Sequence, residues 1–171
     1  MCLKSYNEES LKIMKILFVC LGNICRSPMA EAVFNKLLEE RRLEGRFYVD
    51  SAGLIDCHEG ELPDRRMRSN AAGRGYYLTH RSRPIETTDF EEFDYIVGMD
   101  DANIRSLYSM ITNEAQRKKI LTMAKFLRHH GSSSIPDPYY GGSEGFQRVI
   151  DLLEDSCVGL LDWLLERMEK T

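Results

Sequence analysis

Cys20-Leu21-Gly22-Asn23-Ile24-Cys25-Arg26-Ser27-Pro28 lies between an apolar run, Lys15-Ile16-Leu17-Phe18-Val19, and a segment with helical patterning, Met29 to Leu38. The run is short and uninterrupted, as a parallel strand buried on both faces requires. Met29, Val33, Leu37 and Leu38 recur at helical spacing. Pro28 suits a first helical turn, where its missing N–H costs nothing. The pattern predicts a strand over 15–19 and a helix from about Pro28 to Leu43, closed by Gly45. The quoted stretch is then a loop joining a strand end to a helix N-terminus. Backbone N–H groups of such a loop can turn inward as an anion nest, aided by the helix dipole.

A cysteine opens this loop and an arginine closes it, with five residues between them. If the loop curls round an anion, both ends face one space. Arg26 then grips two phosphate oxygens in a planar fork, and Cys20 lies beneath the phosphorus. A free thiol has a pKa of about 8.5, which a helix N-terminus and a nearby cation lower, so the field that holds phosphate also favours a thiolate nucleophile. Gly22 lets the backbone pass close to a ligand. Asn23 tolerates a left-handed conformation. Ser27 can donate to the sulfur as it departs. On spacing alone, a buried cysteine in an ordinary strand–helix turn competes with the catalytic reading.

The rest of the chain narrows the class. Its 171 residues suit one domain with a sizeable core. A net charge of −4 gives no footprint for nucleic acid or anionic membrane. No apolar run approaches the length of a membrane span, and the N-terminus lacks the apolar stretch of a secretory signal. Five cysteines make an odd count without a disulfide-scaffold pattern, so reduced thiols in the cytoplasm are expected. No Cys/His grouping has zinc spacing, so neither metal nor cofactor is expected. His129-His130 sits in a polar stretch and is expected to be solvated.

In chain order, residues 1–13 read as an N-terminal extension, loose or a short helical turn, ahead of a single domain over 14–171. A second strand is predicted over 47–51, a loop to Leu62, and a helix opened by Pro63-Asp64 and closed by Gly73-Arg74-Gly75. Tyr76 to Pro84 is irregular, and a short turn starts at Thr88. A third strand over 94–99 leads into a helix with acidic residues at its favourable end, Asp100-Asp101. A helical turn over 113–118 and a fourth strand over 120–123 follow. The last helix runs from about Glu144 to Lys170, with Phe146, Val149, Ile150, Leu153, Cys157, Leu160, Leu161, Leu164 and Met168 as its core stripe. Trp163 falls off that stripe and is expected to cap a groove or touch a partner. Strands alternating with helices predict an α/β fold with a parallel sheet and right-handed crossovers. Such sheets bind ligands at strand carboxyl ends, where Cys20 stands.

Val19-Cys20-Leu21-Gly22-Asn23-Ile24-Cys25-Arg26-Ser27-Pro28 resembles the active-site loop of low-molecular-weight protein tyrosine phosphatases. A second motif, Asp137-Pro138-Tyr139-Tyr140-Gly141, sits late in the chain as in that family, and the resemblance runs from about Met14 to the C-terminus. It implies a Rossmann-like three-layer sandwich with a four-stranded sheet in the order 2-1-3-4 and the phosphate-binding loop, Leu21 to Ser27, after strand 1. It implies hydrolysis of phosphotyrosine monoesters in protein substrates through a cysteinyl-phosphate, with inorganic phosphate and other oxyanions as inhibitors. A monomer or weak homodimer is expected.

The resemblance also assigns residues. Asp137, on its own a turn residue between two prolines, becomes the general acid that protonates the leaving oxygen and then activates water. Asn23, Ser27, Ser51 and His80 match the polar residues that support the family's loop. Cys25 matches a thiol that traps oxidised Cys20 as a disulfide. Leu21, Tyr139 and the loop around Asp56-Cys57-His58 match the slot walls. Vertebrate members often carry tryptophan where Cys57 stands, which leaves the peptide preference open. Tyr140 is the more exposed candidate, a rim residue or a phosphorylation site.

Other readings fit the sequence less well. Arsenate reductases of this fold need further relay cysteines, and residues 81–100 contain none. Phosphoarginine hydrolases carry threonine where Ile24 stands, so Ile24 favours tyrosine. A non-catalytic phosphate-binding module conflicts with the joint presence of Cys20, Arg26 and Asp137. A nucleotide-binding P-loop lacks its Gly-Lys-Ser/Thr.

Overall fold

The computed structural model describes residues 11–171. The chain runs β1 (Met14–Cys20), α1 (Arg26–Glu40), β2 (Phe47–Gly53), α2 (Arg65–Ala72), α3 (Asp89–Glu92), β3 (Tyr95–Gly98), α4 (Asp101–Met110), α5 (Glu114–Arg117), β4 (Ile120–Thr122) and α6 (Ser143–Glu169). Short 3₁₀ turns occupy Glu44–Arg46 and Met123–Phe126. The four strands form one parallel sheet in the order β2-β1-β3-β4, as expected. Most of the expected extension lies outside the described residues; Leu11 to Ile13 are exposed and in no regular element.

The apolar run explains why β1 is central. Ile16 to Val19 are fully buried because helices cover both faces. Successive side chains point to opposite faces. Ile16, Phe18 and Cys20 pack with Met29, Val33 and Phe34 of α1 and with the apolar stripe of α6. Leu17 and Val19 pack on the other face with Ile85, Phe90, Phe93 and Leu107. The Phe34 ring meets Phe18 and Phe47 edge-on at 5.6 and 5.9 Å. Cys20 therefore leaves the sheet at its carboxyl end with its sulfur on the α1 side.

Several boundaries differ from the sequence reading. α1 begins at Arg26, two residues before Pro28, and the first intrahelical bond runs from the Met29 N–H to the Cys25 carbonyl. Pro28 still falls in the first turn, where its missing donor is harmless. α1 ends at Glu40 rather than Leu43, and Gly45 is not its stop. Arg42 takes the left-handed position at φ 56°, while the Leu43 N–H donates to the Leu38 carbonyl and the Arg42 N–H to Glu39. This is a Schellman closure with arginine where glycine is usual. β4 stops at Thr122, and Met123 starts the 3₁₀ turn. Trp163, off the stripe, packs sideways onto the fold: its half-buried ring lies edge-on against Tyr95 and Phe126, with Arg167 over its face.

The long helix α6 reaches the sheet through Gly159. An added Cβ there would fall inside the van der Waals envelope of the Phe126 carbonyl oxygen and within 3.3 Å of the Phe126 Cβ. The obstacle is backbone, which cannot swing aside as a side chain can. Gly159→Ala is expected to cost about 1–3 kcal/mol through overpacking, despite its better helix propensity. Urea unfolding of the variant measures this, and a midpoint at or above wild type would contradict it.

Candidate active site

The loop from Leu21 to Cys25 turns over the carboxyl end of β1 and delivers Arg26 as the first residue of α1. Asn23 is left-handed at φ 56° and fully buried, as its residue type allows. Its amide donates to Ser27 Oγ at 2.8 Å and Ser51 Oγ at 3.0 Å. Its carbonyl oxygen accepts from the Arg83 N–H at 3.1 Å and faces His80 Nε2 at 2.9 Å. That oxygen is an acceptor only, so His80 Nε2 carries the proton. Asn23, Ser27, Ser51 and His80 thus form one connected set. Gly53, at the end of β2, makes room for it: an added Cβ would lie 3.1 Å from Asn23 Cβ, the Gly22 carbonyl carbon and the Leu21 oxygen.

Cys20 Sγ lies 3.0 Å from Ser27 Oγ. Arg26 is 2% exposed and held from three directions. It donates to Asp100 Oδ2 at 2.5 Å, to the Ile135 carbonyl at 3.1 Å, and to Asp137 Oδ2 at 3.5 Å. Asp137 also accepts from the Tyr139 N–H at 3.1 Å. A pocket of about 220 Å³ is lined by buried Cys20 and Arg26, by part-exposed Asp137, and by Leu21, Ile24, Ile55, Cys57, His58, Tyr139 and Tyr140. Tyr140 is 94% exposed, a rim position. The His58 ring edge lies over Gly22, where an added Cβ would come within 3.2 Å. A larger hollow of about 350 Å³ opens behind Glu31 and His80, and no cysteine lines it.

The sequence profile of the low molecular weight phosphotyrosine protein phosphatases matches residues 15–170. The chain belongs to this family. The phosphatase of Schizosaccharomyces pombe bearing the family's name is 43% identical over 136 residues, 79% of this chain and 86% of that one. A protein tyrosine phosphatase from Entamoeba histolytica, crystallised with Hepes in its active site, superposes with a TM-score of 0.87 at 47% identity, covering 90% of this chain and 97% of that one. A Drosophila arginine phosphatase superposes at 0.82 with 36% identity, over 88% and 98% of the two chains. The protein is accordingly a cysteine-dependent protein tyrosine phosphatase of low molecular weight, a phosphoric monoester hydrolase.

The phosphatase uses residues that sequence reasoning did not single out. Asp100 appeared only as a helix-end acid; it caps α4 by accepting from the Asn103 N–H and also holds Arg26. Its place at the carboxyl end of β3, beside β1, was the available signal. Glu31, Asp50 and Arg83 complete the support beneath the loop. Ser51 Oγ donates to Glu31 Oε2 at 2.7 Å, and His80 Nδ1 lies 3.3 Å from that oxygen and 3.5 Å from Asp50 Oδ1. Glu31, Asp50 and His80 offer ligand atoms within 4.8 Å of one another. Arg83 already pairs with Asp50 at 3.0 Å and Ser51 with Glu31, so the set is satisfied by the chain's own groups. Burial pushes the Cys25 thiol far up, and the neighbouring Asp64 carboxylate adds to the push. This favours the protonated thiol at Cys25, in the same pocket as Cys20.

Burial also pushes the Glu31 carboxyl up to about 7, against the pull of the Ser51 hydrogen bond. The folded carboxyl keeps a proton that the unfolded chain has lost, so its contribution to stability falls as pH rises from about 4.5 to about 7. Burial holds the His80 imidazole below its ordinary value, with Asp50 opposing. That term has the opposite sign, and stability rises with pH up to roughly 6.5, where the unfolded imidazole gives up its proton. The two slopes offset each other in the native protein. Glu31→Gln removes the falling one, so its urea midpoint should rise more between about pH 5 and 6.5 than that of wild type. Equal rises in both proteins would show that Glu31 does not titrate in this range.

Proposed function

We propose that Cys20, Arg26 and Asp137 carry out hydrolysis of phosphotyrosine in protein substrates through a cysteinyl-phosphate. The observation that supports this is their convergence, from β1, α1 and the loop before α6, on the lining of one pocket. Cys20 Sγ attacks phosphorus in line with the tyrosyl oxygen. Arg26 and the loop N–H groups take up the charge of the transferring phosphoryl. The departing phenolate is basic, with a conjugate acid near pKa ~10, so Asp137 protonates it. Asp137, now ionised, takes a proton from the water that attacks the cysteinyl-phosphate. Ser27 donates to the sulfur as it leaves, from 3.0 Å. Each charge that develops has a partner among the chain's own side chains.

The walls favour an aryl ester. Leu21 and Tyr139 offer apolar and aromatic surface to a phenyl ring, and Ile24 adds bulk beside them. The fold also accommodates arginine phosphatase activity in the Drosophila relative; Ile24 departs from the threonine expected of phosphoarginine hydrolases at this position. Tyr140 forms the outer rim, edge-on to Tyr139 at 5.0 Å. Phosphate and other tetrahedral oxyanions would compete for the same loop. Protonated Cys25 would trap a peroxide-generated Cys20 sulfenic acid as a disulfide, releasing water. No helix among the described residues is long and apolar enough to cross a membrane. We place the enzyme in the cytoplasm, as a monomer or weak dimer.

Phosphate release from a phosphotyrosine peptide should vanish in Cys20→Ser while inorganic phosphate still binds. Asp137→Asn should lower kcat/KM by roughly 10²–10⁴, the range for one general acid. Ile24→Thr should raise turnover of a phosphoarginine peptide relative to phosphotyrosine. Retained activity in Cys20→Ser would sink the mechanism. A native preference for phosphoarginine would overturn the substrate assignment.

A further inference from the structure

Asp137 is weakly held for a residue that must meet the leaving oxygen. It is 39% exposed, lies 3.5 Å from Arg26, and sits in a loop without regular structure. Among the described residues its other hydrogen bond comes from the N–H of Tyr139. What fixes Tyr139 therefore fixes the acid. The Tyr139 ring lies 5.3 Å from the guanidinium carbon of Arg66. Arg66 does not hang free there. Its guanidinium forms a two-point fork on Asp64, at 3.1 and 3.0 Å, and lies 4.9 Å from the ring of buried Phe146 in α6. Asp64 in turn caps α2 by accepting from the Arg66 N–H, and its own N–H donates to the Ile24 carbonyl at 2.7 Å. A continuous bridge thus runs from the catalytic loop at Ile24 through Asp64, Arg66 and Tyr139 to Asp137.

We infer that Arg66 is a positioning residue that clamps the acid-bearing loop to the catalytic loop. The inference rests on the assignment of Asp137 as general acid. An exposed Arg–Asp pair two residues apart usually contributes little by itself. Here the pair orients a flat cation against the one aromatic side chain whose backbone holds the acid. A guanidinium suits this because one plane can fork a carboxylate and present its face to a ring, which an ammonium cannot do. Arg66 touches no reacting atom, so its effect should appear only where leaving-group protonation matters.

The test compares kcat/KM for phenyl phosphate, whose phenolate needs a proton, with p-nitrophenyl phosphate, whose phenolate leaves readily without one. Arg66→Ala should lose about twofold to fivefold on phenyl phosphate, the size of one exposed cation–π contact, and little on the nitrophenyl ester. Inhibition by inorganic phosphate should be unchanged, since Cys20 and Arg26 remain in place. In an Asp137→Asn background the Arg66→Ala loss should disappear, because the acid it positions is gone. Arg66→Lys, which keeps the charge but not the plane, should show the same selective loss in smaller measure, and it carries the test if the alanine variant does not fold. Equal losses on both esters, a loss that persists with Asp137→Asn, or no loss at all would each overturn the clamp. If Asp137→Asn itself fell equally on both esters, the acid assignment would fail, and the clamp with it.

Discussion

Everything at this site depends on one buried asparagine held in a backbone conformation it does not favour. A non-glycine residue in the left-handed region costs about 1 kcal/mol or more. Asn23 sustains it with four hydrogen-bond contacts, to Ser27, Ser51, the Arg83 N–H and His80. A typical buried hydrogen bond contributes about 1 kcal/mol net, and leaving one unmade costs more. The balance favours the strained turn as long as the partners stay in place. Those partners come from α1, β2 and the 80–83 segment, so the loop's shape is a property of the whole fold. Ser51, for its part, is placed by the register of β2 against β1, which sets it opposite Phe18.

The same arrangement ties packing to chemistry along β1. Alternation puts Phe18 and Cys20 on one face and Val19 on the other. Phe18 is locked against Phe34 of α1, and α1 carries Ser27 and Arg26 at its start. The distance from the sulfur to the Ser27 hydroxyl is therefore set by how a strand and a helix pack. A one-residue slip in β1 would exchange its two faces and turn the sulfur away from the helix end.

Local signals were legible in the sequence and distant ones were not. The buried strand, the loop and the stripe of α6 are written in consecutive residues with a recognisable period. Asp137 and His80 carried meaning only through resemblance, because no local pattern points across 111 or 57 residues to their partners. Glu31 and Arg83 carry no signal in the sequence, and Asp100 none beyond a helix start, for the same reason: a charged residue at a helix end or in a loop is ordinary until the fold sets another charge beside it. The end of α1 was misjudged because glycine is the usual closing residue, whereas Arg42 closes it here with a backbone geometry that arginine seldom adopts. Trp163 was off the stripe by spacing, yet Tyr95 and Phe126 extend the core sideways to meet it.

The two carboxylates on Arg26 are not equivalent, and the difference decides which one substrate displaces. Asp100 holds the guanidinium at 2.5 Å, is 26% exposed, and is pinned as the cap of α4. Asp137 stands at 3.5 Å on an irregular loop and is 39% exposed. A phosphate over Cys20 would compete for the guanidinium with the looser of the two contacts, while Asp100, fixed by its own helix, keeps Arg26 oriented. To protonate the leaving oxygen Asp137 must enter the reaction carrying its proton, and a neutral carboxyl neither holds Arg26 strongly nor opposes the phosphate's charge.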